Sequence, residues 1–575
     1  MSDDRSAAFA PPHGDACHDA SVAVTDDATK TPDPGTPGRP GAGVADDLPD
    51  GSDERTTESD EGTAEPDEQP AAPDEPAGRD GGSGDPAASA DDEAVAGAAT
   101  GYEPLTPPEP RGPAAWAGPL VVALLAAATY VTYSVLQWRR FESPSWDLGI
   151  FTQLARRYAD LEAPVVTIKG DGFNLLGDHF HPLLVLLGVP YRIAPSALTL
   201  LVVQGLLLAF SVLVVGREAA RVLGALQGTF VAAAYTVSFG LVGAVASQFH
   251  EIAFAVPLLA LSLVAFLRER WWASALWAAP LVLVKEDLGL TVAALGAVMW
   301  WRMRRRHAPQ DPLLGAWLAL WGMTWVVLST TVLLPALNTA DQYDYGSRID
   351  FGAIVTHPWT AVTLLVDDGS KVLTLVMLVA ITGFVGLRSP VLLIAVPTIL
   401  WRFYADIEYY HGYRWHYSAV LMPIAFAALL DGVLLTRLSP RRWLRRYSFA
   451  AAPVAVAVAA MFVPQLDLAR LGRPDDLWAP SHRAVDAQGL LDRIPEGSTV
   501  ETDIGLMSYL VDDHDVFYVG NDDNPPPDYL VIDTLGGGWG PAPSDVAQYA
   551  MDRHPGTTFE IVYDAGGYQL AQRTG

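Results

Sequence analysis

The stretch that decides the fold is AAWAGPLVVALLAAATYVTYSVL, residues 114–136. It contains no charged residue and has about the twenty residues that an α-helix needs to cross the apolar part of a bilayer. Further apolar runs, separated by short polar loops, follow as far as Val463. The pattern predicts an α-helical polytopic membrane protein. Because the first run begins only at residue 114, we expect it to stay as an anchor rather than to be removed as a signal peptide.

The apolar segments predict about eleven transmembrane helices, several of them short for a bilayer. Their approximate bounds are 114–136, 182–216, 225–246, 252–267, 271–284, 288–301, 314–336, 372–387, 390–401, 418–435 and 448–464. Together they define a membrane domain at residues 113–465, with a long first external loop at 137–181.

The region before the first span has a different composition. Residues 1–112 are rich in Asp, Glu, Pro, Gly, Ala and Ser, and they carry much of the chain's net charge of -29. Such a segment cannot bury enough apolar surface to offset the entropy of ordering it, so we predict a disordered acidic tail. The only cysteine of the chain, Cys17, lies in this tail. A disulfide within the chain and a thiolate metal cluster are therefore excluded.

Arginine clusters predict the orientation in the cell membrane. They fall on alternate loops, and the positive-inside rule places those loops in the cytoplasm. The clusters are Arg217 and Arg221; Arg268 and Arg270; Arg302, Arg304, Arg305 and Arg306; Arg388; and Arg437, Arg441, Arg442, Arg445 and Arg446. The acidic tail is then cytoplasmic, and residues 466–575 lie outside.

The C-terminal residues 466–575 alternate strand-like and helix-like segments. Examples are PDYLVIDT and FEIVYDAGGYQLAQR on one side, and SHRAVDAQGLLDRI on the other. This alternation predicts a small extracytoplasmic α/β domain. It contains no GxGxxG, P-loop or GxSxG motif, and we interpret LGGGWG, residues 535–540, as a flexible loop.

Loops on the predicted external side place Asp, Glu and His at the ends of apolar helices. Such groups are costly at membrane depth unless they pair or function, so their convergence predicts a polar site at the external face. The segments are SWDLGIFTQ (145–153) and GDHFHP (177–182) in the first external loop, SQFHEIAF (247–254), VKEDLGL (284–290), NTADQYDYGSRID (338–350) and WRFYADIEYYHGYRWHYS (401–418).

Asp147 is the candidate catalytic residue. It opens a predicted amphipathic helix at the membrane surface, where a carboxylate could serve as a general base. The alternative is structural: Ser145 can cap this helix, and an acid in the first turn gains about 0.3–1 kcal/mol from the helix dipole.

Other charged residues of these loops are candidates for ligand binding. Two His and an acid can hold a divalent metal, which makes Asp178, His179 and His181 the candidate metal site, with satisfied interfacial side chains as the alternative. Arg forks bind phosphate and aromatic rings stack on sugars, although segment 401–418 also fits an aromatic belt. The candidate donor-binding residues are Lys285, Arg402, Arg414, His416 and His250, with Glu251, Glu286 and Asp287 as supporting acids; Lys285 to Asp287 could instead form a tight turn with a Lys–acid pair.

The order of these motifs resembles the domain of unknown function 2079 family of predicted membrane proteins, from about Trp116 to the C-terminus. The motifs that carry the resemblance are WDLGIFTQ, GDHFHPLL, FHE (249–251), VKEDLGLTVAALG (284–296) and HYSAVLMP (416–423). The layout is similar to that of the GT-C glycosyltransferases. Those enzymes take a sugar from a polyprenyl-phosphate carrier at the external face and place a catalytic Asp in the first external loop.

The resemblance implies that Asp147 is the general base of an inverting transfer. This chain has Trp146–Asp147–Leu148 where the GT-C enzymes usually carry an acid pair or a D-x-D-like motif. The expected partners are the lipid bilayer, a polyprenyl-phosphate sugar and an acceptor that the sequence does not identify, with no nucleic acid. Two other classes stay open. One is a polytopic transporter, although the clustering of the acids at one face argues against it. The other is a non-catalytic scaffold for envelope polymer assembly.

Overall fold

The computed structural model describes residues 105, 107, 114–338, 356, 358–539 and 541–575. All of these residues belong to one compact unit. The predicted disordered tail lies outside the described residues except for Leu105 and Pro107, and so does most of the predicted external segment 338–350. The predictions made for both segments stay predictions.

The described chain from residue 114 to residue 472 is helical with short connections. Its α-helices are α1 (Ala114–Arg139), α2 (Trp146–Ala159), α3 (Gly188–Ile193), α4 (Ala197–Leu223), α5 (Ala225–Thr236), α6 (Phe239–Ala246), α7 (Ile252–Leu267), α8 (Trp271–Ala278), α9 (Leu288–Arg306), α10 (Leu313–Leu328), α11 (Leu334–Leu337), α12 (Pro358–Thr363), α13 (Gly369–Ala380), α14 (Val396–Tyr404), α15 (Glu408–His411), α16 (Leu421–Arg437), α17 (Arg442–Tyr447) and α18 (Ala451–Phe462). Short 3₁₀ segments extend several of them, among them Pro182–Leu187, Ala279–Leu283 and Pro390–Ala395.

Within the described residues, four helices are long and apolar enough to cross a membrane. They are Trp116–Arg139, Ala197–Leu223, Ala225–Ala246 and Leu313–Leu337. A fifth span results if Glu408–Ser418 and Leu421–Arg437, which are bent by 70°, are counted as one. The remaining apolar helices have 10–17 residues. The helices are therefore those of a membrane protein, while the predicted number of about eleven spans stays a prediction.

Loops that the arginine pattern assigns to one side of the membrane meet in the structure. Arg268, after α7, places its Nε 2.8 Å from Oε2 of the fully buried Glu218 in α4. Arg302, near the end of α9, places its Nη2 2.6 Å from Oδ2 of Asp431 in α16. Because each acid is buried, its paired arginine offsets a desolvation cost of several kcal/mol.

The C-terminal part contains a five-stranded sheet flanked by helices. The strands are β1 (Thr499–Thr502), β2 (Asp515–Tyr518), β3 (Tyr529–Asp533), β4 (Phe559–Ala565) and β5 (Tyr568–Arg573), in the order β2-β1-β3-β5-β4. The helices are α19 (His482–Leu491), α20 (Met507–Leu510) and α21 (Val546–Arg553). β1 is parallel to β2 and β3, whereas β5 is antiparallel to β3 and β4. The stretch FEIVYDAGGYQLAQR is thus a hairpin, whose turn uses two positive-φ glycines, Gly566 and Gly567.

The sheet and the interfacial helix α2 share one hydrophobic core. Leu148 and Leu154 of α2 are fully buried in the same cluster as Val500 and Met507. Gln153 Nε2 donates to the Val516 carbonyl at 2.9 Å. The helix is therefore fixed by the C-terminal residues as well as by the membrane helices.

Gly149 allows a close approach where α2 meets α20. A Cβ at this position would come within 2.9 Å of Met507 Cγ and Sδ, so the methionine side chain would have to move. The absent side chain therefore lets the helix that carries Asp147 approach the C-terminal residues.

Candidate active site

Six stretches of chain meet around one cavity of about 270 Å³. Ten of the twelve candidate residues predicted from the sequence line it. They are Asp147, Asp178, His179, His181, His250, Glu251, Lys285, Glu286, Asp287 and His416. The expected convergence of external motifs is thus a feature of the fold, since these residues are as far apart in sequence as 147 and 416.

Asp147 lies in the first turn of α2. Ser145 caps this helix, because its Oγ accepts a hydrogen bond from Leu148 N at 3.1 Å. Trp146, Ile150 and Phe151 are buried, as the predicted apolar face requires. Packing therefore fixes the helix, and the Asp147 carboxylate reaches the cavity with 21% of its side chain exposed.

His250 is the partner of Asp147. Its Nε2 lies 3.3 Å from Asp147 Oδ2, and its Nδ1 lies 3.3 Å from the Gln248 carbonyl oxygen. Both neighbours are hydrogen-bond acceptors, so both nitrogens can donate only when the ring is an imidazolium. The ring also stacks on His416, with centroids 3.5 Å apart. The Gln248 carbonyl and the His416 ring thus hold the His250 imidazole against the Asp147 carboxylate.

A buried glutamine in the middle of a membrane helix holds this histidine. Gln204 of α4 accepts from His250 N at 3.1 Å and donates to the carbonyls of Ala244 and Gln248 at 2.9 and 2.7 Å. We did not predict Gln204 as a site residue. The signal was present in the sequence, because a polar residue inside an apolar span is costly unless it pairs.

Lys285 and Glu251 form a tight pair in the cavity wall. Nζ lies 2.7 Å from Glu251 Oε1, and the glutamate side chain is only 4% exposed. Burial raises the pKa of the Glu251 carboxyl, but the charges of Lys285 and His250 outweigh burial and hold it at about 2. The glutamate is therefore a carboxylate at neutral pH, and the lysine a cation.

Glu286 organises the loop that carries the histidines. Its Oε1 lies 2.7 Å from His179 Nδ1, and its Oε2 accepts from Phe180 N at 3.0 Å. Burial lowers the pKa of His179, but Glu286 outweighs burial and the net pKa is raised. Asp178 pairs with Lys169, whose Nζ lies 3.3 Å from Asp178 Oδ2. The acids and bases of this loop thus neutralise each other.

Two further groups of the cavity wall have pKa values shifted by burial. Burial raises the pKa of the Asp287 carboxyl to about 6, in spite of the neighbouring Lys285. Burial lowers the pKa of His181 to about 4. At neutral pH His181 is therefore a neutral imidazole, which can both donate and accept a hydrogen bond.

Part of the cavity lining is aromatic and apolar. Trp401, Tyr410 and Tyr417 line the cavity and contact one another edge to face, with centroids 4.7–6.0 Å apart. Leu290 and Val326 add aliphatic surface. The cavity therefore offers apolar and ring surface as well as charged and polar groups.

Arg402 and Arg414 do not line the cavity. Arg402 is fully buried and donates to the carbonyls of Tyr410 and Gly412 at 2.8 and 2.7 Å. Arg414 is exposed, with its guanidinium 5.9 Å from the Tyr413 ring. Phosphate binding by Arg402 and Arg414 therefore stays a prediction that this cavity does not support. The fork of Arg402 donates to backbone carbonyls of the segment that also supplies Tyr410 and Tyr417 to the cavity.

The metal site predicted at Asp178, His179 and His181 is not formed in this arrangement. Among the described residues, no group of three or more His, Cys, Asp or Glu side chains is placed to hold a metal ion. The physical reason is the pairing already described: Asp178 forms an ion pair with Lys169, and His179 forms one with Glu286.

Comparisons with known proteins bear on this site. A family model described as a predicted membrane protein, DUF2079, matches residues 138–570, which include the cavity-lining residues. A search of curated proteins finds no match. Among solved structures, ArnT from Cupriavidus metallidurans bound to undecaprenyl phosphate aligns with a TM-score of 0.46 at 12% sequence identity. The alignment covers 78% of this chain and 97% of that chain.

Proposed function

The chain belongs to the DUF2079 family of predicted membrane proteins, and on that premise we propose that it is a GT-C-like membrane glycosyltransferase. It takes a sugar from a polyprenyl-phosphate carrier and transfers it to an acceptor hydroxyl at the external face. One observation carries the proposal: the Asp147 carboxylate is paired with His250 in the wall of a cavity that is lined by both charged and aromatic side chains. Such a cavity suits a molecule with a polar head and an apolar tail.

Asp147 acts as the general base in this reaction. It accepts the proton of the acceptor hydroxyl while the hydroxyl oxygen attacks the anomeric carbon of the sugar. The bond between that carbon and the carrier phosphate breaks, and its electron pair stays on the phosphate oxygen. A single displacement inverts the anomeric configuration. His250 orients Asp147, because its ring is fixed on the far side by Gln248.

The leaving phosphate needs positive charge. Lys285 lines the cavity as the cation of a buried pair with Glu251, and the His250 imidazole lines it beside Asp147. The Lys285 charge is therefore held in place before the donor arrives. Preorganised charge of this kind stabilises a developing anion without reorganisation during the reaction.

The test is the substitution Asp147→Asn in the full-length chain. It keeps the shape of the side chain and removes the basic carboxylate, so we expect turnover of polyprenyl-phosphate sugars to fall by about 10²–10⁴-fold. Binding of the carrier and thermal stability should change little. Asp160→Asn is the matched control, because Asp160 is the C-cap of the same helix and does not line the cavity.

Full turnover by Asp147→Asn would remove this residue as the base. Carrier binding without any turnover in the wild type would favour transport, and dispensability of Asp147 in every assay would favour a scaffold. A purely structural role in the helix dipole predicts the reverse of our expectation, namely a stability loss of about 0.3–1 kcal/mol with full activity.

The proposed chemistry also requires a defined orientation. The membrane domain spans 113–465, the tail 1–112 lies in the cytoplasm, and the α/β domain 466–575 lies outside. A reporter fused after Arg306 should be cytoplasmic, and one fused after Gly575 extracytoplasmic. The opposite pattern, or both reporters on one side, would contradict the topology and the site of reaction with it.

A further inference from the structure

A basic segment joins two apolar helices on the side that the arginine pattern assigns to the cytoplasm. It is SPRRWLRRYSFA, residues 439–450, and it contains the short helix α17 (Arg442–Tyr447). It follows α16 and precedes α18, which the sequence predicts as the last two membrane spans. A connection between two spans lies at the membrane surface, so its exposed side chains face lipid headgroups or water.

Protein contacts fix the inner side of this segment. Leu444 is buried. The Tyr447 hydroxyl donates to the Gly383 carbonyl at 3.1 Å, and Arg445 Nη1 donates to the Ser439 carbonyl at 2.7 Å. The orientation of α17 is therefore set by the chain itself, and with it the set of side chains that stay at the surface.

The side chains left at the surface are arginines and aromatic rings. Arg441, Arg442 and Arg446 are exposed, and their guanidinium groups form no hydrogen bond or ion pair with the described part of the chain. Arg442 and Arg446 are four positions apart and therefore share a helix face. Trp443 and Phe449 are 63% and 66% exposed. The segment thus combines cations that have no acid beside them with large apolar rings that the protein does not cover.

We propose that residues 441–449, the α17 surface, bind the phosphate of an anionic phospholipid headgroup. Arg442 and Arg446 supply guanidinium groups, whose planar fork matches phosphate oxygens. Trp443 and Phe449 lie at the level of the headgroups, where aromatic rings are favoured. A zwitterionic headgroup offers the same phosphate but carries its own cation, so the surface prefers an anionic lipid. None of these residues lines the candidate active site, and the inference does not rest on the proposed glycosyl transfer.

Two features favour a lipid over a soluble polyanion. The exposed rings gain from contact with a membrane interface, whereas an acidic chain such as the tail 1–112 offers them little apolar surface. The segment is also tethered at both ends to predicted spans, which holds its arginines at headgroup depth. The negative surface potential of the cytoplasmic leaflet attracts basic segments at that depth.

Lipid titration of the full-length chain in detergent micelles, followed by native mass spectrometry, tests this. The probes are dioleoyl phosphatidylglycerol and dioleoyl phosphatidylcholine, which differ only in the headgroup. We expect the first phosphatidylglycerol to bind more tightly than the first phosphatidylcholine. Arg442→Gln together with Arg446→Gln should weaken phosphatidylglycerol binding about 30-fold, since each arginine near a membrane surface contributes about fivefold. Phosphatidylcholine binding should change little.

Two other variants sharpen the test. Trp443→Ser should weaken both lipids by a similar factor, because contact of the ring does not depend on headgroup charge. Arg473→Gln together with Arg493→Gln is the matched control, since it removes two exposed arginines from the C-terminal part of the chain. The control should leave both affinities unchanged.

The inference is overturned if the wild type binds the two lipids equally. It is also overturned if the control pair weakens phosphatidylglycerol as much as the Arg442 and Arg446 pair does, or if Trp443→Ser changes neither affinity. Glycerophosphoglycerol carries the same phosphodiester without acyl chains, and displacement of the lipid by an equal concentration of it would assign the surface to a free phosphate instead. A preference for phosphatidylglycerol that appears only after deletion of residues 2–110 would assign the surface to the acidic tail and overturn the lipid proposal.

Discussion

Removal of the Lys285 ammonium should destabilise the folded chain by leaving Glu251 as an unpaired buried charge. Lys285→Met keeps the length of the side chain and removes its charge. The Glu251 side chain is 4% exposed, and its pKa is held at about 2 against an ordinary value of 4.5. Breaking a buried ion pair by removing one partner costs about 3–5 kcal/mol, and we expect a loss of that size in Lys285→Met.

The same pair gives a pH dependence whose sign is fixed. Because the folded state lowers the pKa of Glu251, its contribution to stability is fully present above about pH 4.5 and is lost as the pH falls toward about 2. In Lys285→Met the burial of Glu251 remains and the pairing does not, so its pKa should rise. The stability difference between wild type and variant should therefore be largest near pH 7 and shrink on acidification.

The assay is equilibrium unfolding in mixed micelles at pH 7 and pH 4. Adding Glu251→Gln to Lys285→Met should recover most of the loss, because the second change removes the stranded charge. Arg157→Met is the control, since Arg157 forms an exposed pair with Glu162 at 2.6 Å that should contribute less than about 1 kcal/mol. A loss below about 1 kcal/mol in Lys285→Met, or no recovery in the double variant, would refute the reasoning.

Three further substitutions probe the supports of the site. Gln204→Ala should lower turnover more than carrier binding, because His250 loses the acceptor of its backbone N–H; equal loss in both measurements would contradict a positioning role. Gly149→Leu should cost about 1–3 kcal/mol of unfolding free energy by overpacking against Met507, and additional truncation of Met507 to Ala should restore part of it. Arg402→Leu should reduce thermal stability strongly, because the four oxygen atoms that accept hydrogen bonds from its guanidinium lose their donor. An unaltered melting temperature together with lost carrier affinity would instead support phosphate binding by Arg402.

The sequence predicted which polar groups share the site better than it predicted what they do there. An ionisable residue at the end of an apolar helix is visible in the sequence because its cost at membrane depth is general. Its partner is not visible, because pairing depends on how the helices pack. The Glu251–Lys285 and Glu286–His179 pairs join residues 34 and 107 positions apart, and no spacing rule relates them.

Arg402 marks the limit of inference from residue type. An arginine among aromatics fits a phosphate site and an internal brace equally well from the sequence. What the sequence could not show is that the chain turns back after Tyr404 and places the carbonyls of Tyr410 and Gly412 against the guanidinium. The strands of the C-terminal part were predictable because alternation of side chains is local, whereas the packing of α2 on the sheet was not.

That packing has a consequence for the timing of synthesis. The hydrogen bond from Gln153 to Val516 joins residues 363 positions apart. At the usual rate of about 5–20 residues per second, roughly 20 to 70 s separate the appearance of the two partners. Until the last hundred or so residues have emerged, the helix that carries Asp147 lacks the apolar partners that Val500 and Met507 belong to. A chain that stops early can insert its membrane helices but cannot fix the proposed base, so only finished chains would become active at the membrane.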